Sequence, residues 1–409
     1  MTAPFGVSAE DDKGNGQTRR SALGLILGAP LLAGCAGLQS GAGFGAASPG
    51  EQPPGPAGPA QQAVAVGTGQ VKVGLILPLS GAGNAGVAGN SMKNAAELAL
   101  AEFHSPDIQI LIKDDGGTSS GAQQAAQQAL DEGSEIILGP LFGLSVPATA
   151  QLARARNVPV IAFSTDSSVA GRGVYLLSFL PESDVNRIVD YAASTGKRSF
   201  AALLPENAYG NVVEVAFKQA VARRGGRVIA FEKYSTDQAQ MQSAARSVAQ
   251  SLASADALLL ADDGDTLGRL SELLTGAGGD LKRVQLLGTG LWDNPRVFAD
   301  AGLQGGLYAA PDPSGFRAFS KRYKAKYGQD PVRTATLAYD SVALVAALAK
   351  TQGGQRFSPE TLTNPSGFAG IDGLFRFRSD GTNERGLAVL RATAGGGQIV
   401  AGPPKSFGA

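Results

Sequence analysis

Two reactive side chains occur once each in this chain of 409 residues, Cys35 and His104. A single cysteine makes no internal disulfide, and a single histidine excludes a His-rich metal centre and leaves any Ser/His/Asp mechanism resting on one residue. His104 stands in the loop Phe103-His104-Ser105-Pro106-Asp107, where a solvated side chain is expected. Cys35 follows Arg19-Arg20, an apolar run from Leu23 to Leu31, and then Leu32-Ala33-Gly34. A basic stretch, a short apolar stretch and small residues before a cysteine describe an export signal ending at a lipidation site. The apolar run is well short of the ~20 residues that a membrane-spanning helix needs.

A second pattern is Gly81-Ala82-Gly83-Asn84-Ala85-Gly86, which matches G-x-G-x-x-G behind an expected strand, with Asp114 or Asp115 ending the next one. Read literally, it is a dinucleotide fingerprint and would make the chain an exported nucleotide-dependent oxidoreductase. Pro78 and Ser80 intervene before the first glycine, however, and Val87 to Asn90 separate the last glycine from the expected helix. A pyrophosphate would then miss the helix N-terminus. With 56 glycines in the chain, the match also arises easily by chance.

The acids Asp166, Asp262, Asp263, Asp265 and Asp293 could line a cleft suited to a cation-bearing ligand. Each also has a structural reading: Asp265 is placed as a helix N-cap, Asp293 precedes a Pro-containing helix start, and Asp166 lies in a Ser/Thr/Asp turn. Trp292 is the only tryptophan and sits in Gly288-Thr289-Gly290-Leu291-Trp292-Asp293-Asn294-Pro295. It could stack on a ligand, anchor a partner or plug a lobe interior.

Positioning these groups requires regular elements, and the apolar pattern supplies them. Val71 to Leu77, Ile108 to Ile112, Ile136 to Leu138 and Pro159 to Ala162 read as strands. Helices are expected over Ser91 to Phe103, Ala122 to Asp131 and Pro147 to Arg156. A second series follows Pro181, with helices at 184–194, 212–224, 238–252 and 266–274 and strands at 199–204, 227–231, 257–260 and 284–287. Continuous apolar strands alternating with amphipathic helices predict an α/β fold of two lobes, each a mostly parallel sheet flanked by helices, with a cleft at the strands' carboxyl ends. The stretch Gly373 to Asn383 reads as a hairpin returning to the second lobe.

The expected organisation is a signal peptide over 1–34, then the lipidated cysteine with a flexible Gly/Ala/Pro tether over 35–70. The N-terminal lobe is expected over 71–184 and 312–355, and the C-terminal lobe over 185–311 and 356–405. Formal net charge is zero and no long basic stretch occurs, so nucleic acid is not an expected partner. No cofactor, metal or catalytic residue is expected.

The tetrapeptide Leu32-Ala33-Gly34-Cys35 resembles the bacterial lipobox, which implies that Cys35 becomes a lipid-bearing N-terminus. Thr18-Arg19-Arg20-Ser21-Ala22-Leu23 looks like a twin-arginine signal, and Sec export is the other route. By resemblance to sorted lipoproteins, Ala36 implies passage to an outer membrane where the cell has one.

The segments Val71 to Gly81 and Gly89 to Ala99 resemble the opening of type I periplasmic binding proteins of the leucine/isoleucine/valine-binding family. Asp114-Asp115-Gly116-Gly117, Ile137 to Leu141, Asn157 to Ile161, Tyr209-Gly210 and Ala338 to Ser341 extend the resemblance over residues 71–350. It implies a clamshell hinged on three crossing strands, without a catalytic step, that grips a small amino acid. A zwitterion needs N–H donors for its carboxylate and an anion for its ammonium.

The family's first-lobe serine position falls on Gly143, with Ser145 two residues on. Its threonine position falls on Asp166, after Ser164 and Thr165. The second-lobe aromatic and acid positions fall near Asp263 and on Gly290. The candidate ligand residues are Ser80, Gly81, Ser145, Ser164, Thr165, Tyr209, Asp263 and Trp292, with Cys35 as lipidation site. The expected function is capture of a small amino-acid-like solute for an inner-membrane ABC permease, on the periplasmic face of a membrane. The altered grip, the anchor and the tether also look like the lipoprotein branch of penicillin-binding protein activators. That resemblance implies instead regulation of a peptidoglycan synthase.

Overall fold

A computed structural model describes residues 64–407. The export signal, Cys35 and most of the Gly/Ala/Pro segment lie outside the described residues.

The first sheet is built from β1 (Val64–Val66), β2 (Val71–Leu77), α1 (Asn84–Glu102), β3 (Ile108–Asp114), α2 (Ser119–Asp131), β4 (Ile136–Leu138), α3 (Val146–Ala155), β5 (Val160–Ala162) and β6 (Val174–Leu176). Its strand order is β1-β3-β2-β4-β5-β6, with β2 to β6 parallel and β1 antiparallel on the edge. Most β2 side chains are buried on both faces, as its unbroken apolar sequence requires when helices cover both sides. The low-complexity tether was expected to continue to residue 70; instead Val64-Ala65-Val66 pairs with Ile110 to Ile112. Two valines in three residues suffice for a short edge strand once a partner is present.

The second sheet takes α4 (Pro181–Ser194), β7 (Ser199–Pro205), α5 (Ala208–Arg223), β8 (Arg227–Tyr234), α6 (Gln238–Ser251), β9 (Ala257–Leu260), α7 (Gly264–Gly276), β10 (Gln285–Gly288), α8 (Pro295–Ala299) and β11 (Leu307–Ala310). The chain then returns to the first core through α9 (Pro313–Tyr327) and α10 (Ala335–Thr351), where Phe319 and Tyr323 pack with Ala95 and Leu98 of α1. After α11 (Pro359–Leu362) come β12 (Phe368–Gly370), β13 (Gly373–Phe377) and β14 (Asn383–Arg385) as a separate three-stranded sheet, then β15 (Ala388–Thr393) and β16 (Gly396–Ala401). The second sheet has the order β16-β15-β11-β10-β9-β7-β8. The chain passes between the two sheets three times, at residues 177–180, 311–312 and 386–387.

The Gly373 to Asn383 hairpin does not return to the second lobe. Phe375 and Phe377 enter the core of the first sheet, with the Phe377 ring 5.5 Å from that of Tyr175, and Asn383 Nδ2 donates to the carbonyls of Leu176 and Ser178. Phe375 and Phe377 are 1% and 2% exposed there, and burying two phenyl rings is the apolar gain that holds the hairpin in that core. The chain joins the second sheet only at β15, antiparallel to β11.

The first helix also differs. It starts at Asn84, seven residues before the expected Ser91, behind a Gly83 cap in the left-handed region at φ 57°. The glycine motif therefore runs into the helix rather than stopping short of it. Gly86 and Gly89 are inside the helix because it lies directly on the preceding loop. A Cβ on Gly86 would stand 2.3 Å from the Gly81 carbonyl oxygen, and one on Gly89 2.7 Å from that of Pro78. These glycines are accounted for by helix-to-loop contact, with no phosphate invoked.

Candidate functional site

The loops at the carboxyl ends of the parallel strands carry nearly all of the sequence-predicted residues. In the first sheet, Ser80 and Gly81 follow β2. The exposed Ser80 donates its backbone N–H to Asp114 Oδ1 at 3.2 Å. Burial works to raise the Asp114 pKa, but hydrogen bonds from Ser80 and Gly116 outweigh it and hold the carboxyl below its ordinary value. Its neighbour Asp115 is more deeply buried and is pushed up, leaving Oδ2 without a hydrogen-bond partner among the described residues.

The loops after β4 and β5 meet. Ser164 Oγ accepts the Asp166 N–H at 3.0 Å, and a Cβ on Gly143 would lie 3.2 Å from both Ser164 Oγ and Asp166 Cβ. Asp166 caps a short 3₁₀ turn through Ser168 N and Ser168 Oγ, which agrees with the turn reading of that residue. Thr165 is exposed beside it. Ser145 is fully buried at the start of α3, and its hydroxyl has no partner among the described residues. Ser164, Thr165 and the Gly143 turn are thus brought together, whereas the Ser145 hydroxyl does not reach the open side of the loop.

In the second sheet, Tyr209 and Thr289 share a hydroxyl–hydroxyl bond of 2.8 Å, and burial raises the Tyr209 pKa. The expected N-cap at Asp265 is corrected by two residues. Asp263 caps α7, accepting from Asp265 N at 3.1 Å and Thr266 N at 3.0 Å, while Asp265 pairs with Arg296. Residue 263 is the last extended residue before the helix, which is where a carboxylate reaches the free N–H groups. Asp262 accepts from Tyr234 OH and Asp263 N, and burial raises its pKa.

Trp292 is 0% exposed and donates Nε1–H to the Leu260 carbonyl at 2.8 Å. Of the three readings of this residue, the lobe plug is the one the structure supports, and Trp292 leaves the set of candidate ligand contacts. A Cβ on Gly288 or Gly306 would come within 2.4 Å of the indole, so these two glycines make its slot.

Two features escaped sequence reasoning. Asp184, in the first turn of α4, accepts the Gly290 N–H at 2.9 Å, and burial pushes its pKa up to about 7. At the hinge, Arg385 donates Nε–H to the Ser178 carbonyl at 2.8 Å and stacks 4.7 Å from the Phe179 ring centroid. Both of its terminal nitrogens lack partners among the described residues. A groove of about 1020 Å³ flanks this point, bordered by α4, α5, Arg385 and the tail at Phe407; none of the sequence-predicted residues lines it. Asp184 and Arg385 depend on partners far along the chain, and no local pattern marks them.

Among the described residues, no hydrogen bond joins the 78–83, 139–145 and 163–168 loops to the 206–210, 261–265 and 289–294 loops. No group of three or more His, Cys, Asp or Glu side chains suited to a metal ion occurs among the described residues.

Comparison with known proteins adds a lineage. A family model described as periplasmic binding protein matches residues 70–397. A Rhodospirillum rubrum structure assigned to a branched-chain amino acid ABC transporter is 19% identical, with a TM-score of 0.72 over 81% of this chain and 99% of that one. A Rhodopseudomonas palustris BisB5 solute-binding protein in complex with 3,4-dihydroxybenzoic acid is 22% identical, with a TM-score of 0.58 over 83% of this chain and 97% of that one. LivJ of Streptococcus pneumoniae in complex with isoleucine is 19% identical, with a TM-score of 0.56 over 81% and 99%. Among curated proteins, the uncharacterized RP748 of Rickettsia prowazekii is 20% identical over 179 residues, 44% of this chain. The chain spans about half the length of that relative, 47%.

Proposed function

The chain belongs to the type I periplasmic binding protein family, and from that membership we propose that it is a non-enzymatic, lipid-anchored extracytoplasmic receptor that captures a small solute for an ABC transporter. The observation that carries the reading is the pair of loop sets at the carboxyl ends of the strands. They sit on two separate sheets joined by three crossings, so that a ligand touching both sets would pull the lobes together. In this reading, residues 1–34 are a signal peptide, Cys35 carries the lipid, and the segment before β1 is the tether. The candidate contacts are Ser80, Gly81, Ser164, Thr165, Tyr209 and Asp263. Among the described residues no helix is long and apolar enough to cross a membrane, so the proposed anchor is the acyl chain on Cys35.

Thermal unfolding against amino acids, aromatic acids, short peptides and cell-wall fragments tests the receptor reading. A ligand at a hundred times its dissociation constant adds ~2.7 kcal/mol and raises the midpoint saturably. Cys35→Ser should release the protein from the membrane fraction and abolish incorporation of labelled palmitate.

A second reading is a penicillin-binding protein activator. It is favoured by the four departures from the amino-acid grip, at Gly143, Asp166, Asp263 and Gly290. No midpoint shift across the panel, together with saturable binding to a peptidoglycan synthase, would select it.

A further inference from the structure

The groove of about 1020 Å³ beside Arg385 has β14 and the turn before it on one side, α4 and α5 on the other, and the tail residues Gly402 to Phe407 along its border. Of the six loops that carry the candidate contacts, it shares Ser167 alone. Its volume is that of a pocket for a small organic ligand. Three residues of its wall carry buried polar atoms without a hydrogen-bond partner among the described residues: Arg385 at Nη1 and Nη2, Glu182 at Oε2 and Asn383 at Oδ1.

Arg385 is 6% exposed, and its place is fixed. The Nε bond to Ser178 and the stacking on Phe179 hold the guanidinium, so its outer fork stands ready with nothing to donate to. Asn383 is fixed in the same way: Nδ2 is spent on the carbonyls of Leu176 and Ser178, and Oδ1 is the free end. An unmade hydrogen bond of a buried, charged donor is costly, so a fork held in this way calls for a partner that the chain does not supply.

The acids around the fork do not meet that need. Asp372 is gripped by Arg333, and burial pushes Asp184 and Asp340 up to about 7, which leaves each neutral for much of the time near that pH. On the wall itself, Asp190 pairs with Arg224, and Glu384 with Arg376 and Arg378. Arg187 donates to the carbonyls of Leu387 and Gly402, and Arg223 to Asn186 Oδ1. Among the described residues, the wall arginines Arg187, Arg223 and Arg385 therefore have no ion-pair partner, against the two wall acids Glu182 and Asp380. The unpaired charge is positive by one, which favours a ligand with a single negative charge. Apolar surface lies beside it, in half-buried Val212 and in Val215, which is 56% exposed.

We propose that this groove is a second small-molecule site, which takes a monocarboxylate with an apolar body and a hydroxyl beside the carboxylate. The Arg385 fork receives the carboxylate oxygens, the hydroxyl donates to Asn383 Oδ1, and Val212 and Val215 cover the apolar part. The site goes beyond the receptor reading and does not depend on it.

The test uses the full chain in detergent and three probes sharing one skeleton: 2-hydroxy-4-methylpentanoate, 4-methylpentanoate and 4-methylpentanamide, titrated calorimetrically at pH 7. The hydroxy acid is expected to bind tightest, the plain acid about threefold more weakly, and the neutral amide a further tenfold or so more weakly, the scale of one neutral and one charge-assisted hydrogen bond. Arg385→Lys keeps the charge and loses the fork, so it should weaken the hydroxy acid about tenfold. Because Arg385 also supports the hinge, a second pair of variants at exposed Val215 locates the site. Val215→Glu should bind the hydroxy acid about fivefold more weakly than Val215→Lys, with both unfolding midpoints equal to that of the parent. An amide that binds as tightly as the acids, equal affinities in the two Val215 variants, or no binding of any probe would each overturn the proposal. The receptor reading is judged separately by the wider panel, and a hit there preserves it when all three probes fail.

Discussion

Arg333 grips Asp372 with both ends of its guanidinium, Nη1 to Oδ2 at 3.0 Å and Nη2 to Oδ1 at 2.7 Å. The pair ties the approach to α10 to the turn between β12 and β13, and Thr336 Oγ1 adds a bond to Oδ2 at 2.6 Å. The Asp372 carboxylate is buried, while the Arg333 side chain is 39% exposed and stacks on Phe179 and Phe316. Arg333→Ala leaves a buried carboxylate without its cation and should cost about 3 kcal/mol, the low end for a broken buried pair. Arg333→Ala combined with Asp372→Asn should recover part of that loss. A denaturant midpoint for Arg333→Ala equal to that of the parent chain would remove the pair from the hinge's support.

Stability should fall as pH rises from about 4 to 7, opposite to the trend set by salt-bridged acids. Burial, reinforced by the nearby Asp372 charge, pushes Asp340 up to about 7 against the Ile371 hydrogen bond and the Arg385 and Arg333 charges; burial likewise takes Asp184 to about 7. Each group keeps in the folded state a proton that the unfolded chain releases near the ordinary aspartate value of 3.8. The contribution is complete below that value and is lost as pH rises through about 7. Asp256 works the other way and lower down: its bonds from Arg198 N and Ser199 N hold it at about 2, so its contribution is present above 3.8 and lost as pH falls. Urea midpoints at pH 5 and pH 8 should favour pH 5, and Asp340→Asn should narrow that gap. An unchanged gap in Asp340→Asn would show that this carboxyl is ionised throughout.

The glycines at the start of α1 should be needed for different reasons. Gly86→Ala and Gly89→Ala drive a methyl into backbone oxygens of the loop beneath and should each cost about 1–3 kcal/mol. Gly83 has open space around its missing Cβ, but its backbone at φ 57°, ψ −130° lies outside the left-handed well that asparagine tolerates, so Gly83→Asn should also cost about 1–3 kcal/mol, through backbone strain alone. A Gly83→Asn midpoint equal to that of the parent chain would show that the turn relaxes without cost.

What the sequence reveals here depends on how local each determinant is. The central strands are legible because a strand buried on both faces must be apolar throughout, as Val71 to Leu77 is. The start of α1 is not, because its first two turns are glycine-rich and become helical by lying on the 78–81 loop. The destination of Phe375 and Phe377 is equally hidden: their alternation marks a half-buried strand, but nothing local says which core receives them.

The candidate site follows the same division. The loops around Ser80, Ser164, Tyr209 and Asp263 are found by their place after strands. Asp184 and Arg385 act through partners such as Gly290, more than a hundred residues away, and carry no local mark. The cap falls on Asp263, two residues before Asp265, because either aspartate of Asp263-Gly264-Asp265 can start a helix and only the backbone decides between them.

The sealed position of Trp292 has an optical consequence. It is the only indole in the chain, and it lies dry in the core of the second sheet. Intrinsic tryptophan fluorescence therefore watches one half of the molecule alone, with emission that should begin in the blue and move red when that half opens. Circular dichroism sees the helices of both halves. If the halves come apart together, the two signals trace one curve; if the first sheet melts early, ellipticity falls while the emission stays blue. The spacing between the two curves then measures how firmly the three crossings bind the fate of one half to that of the other.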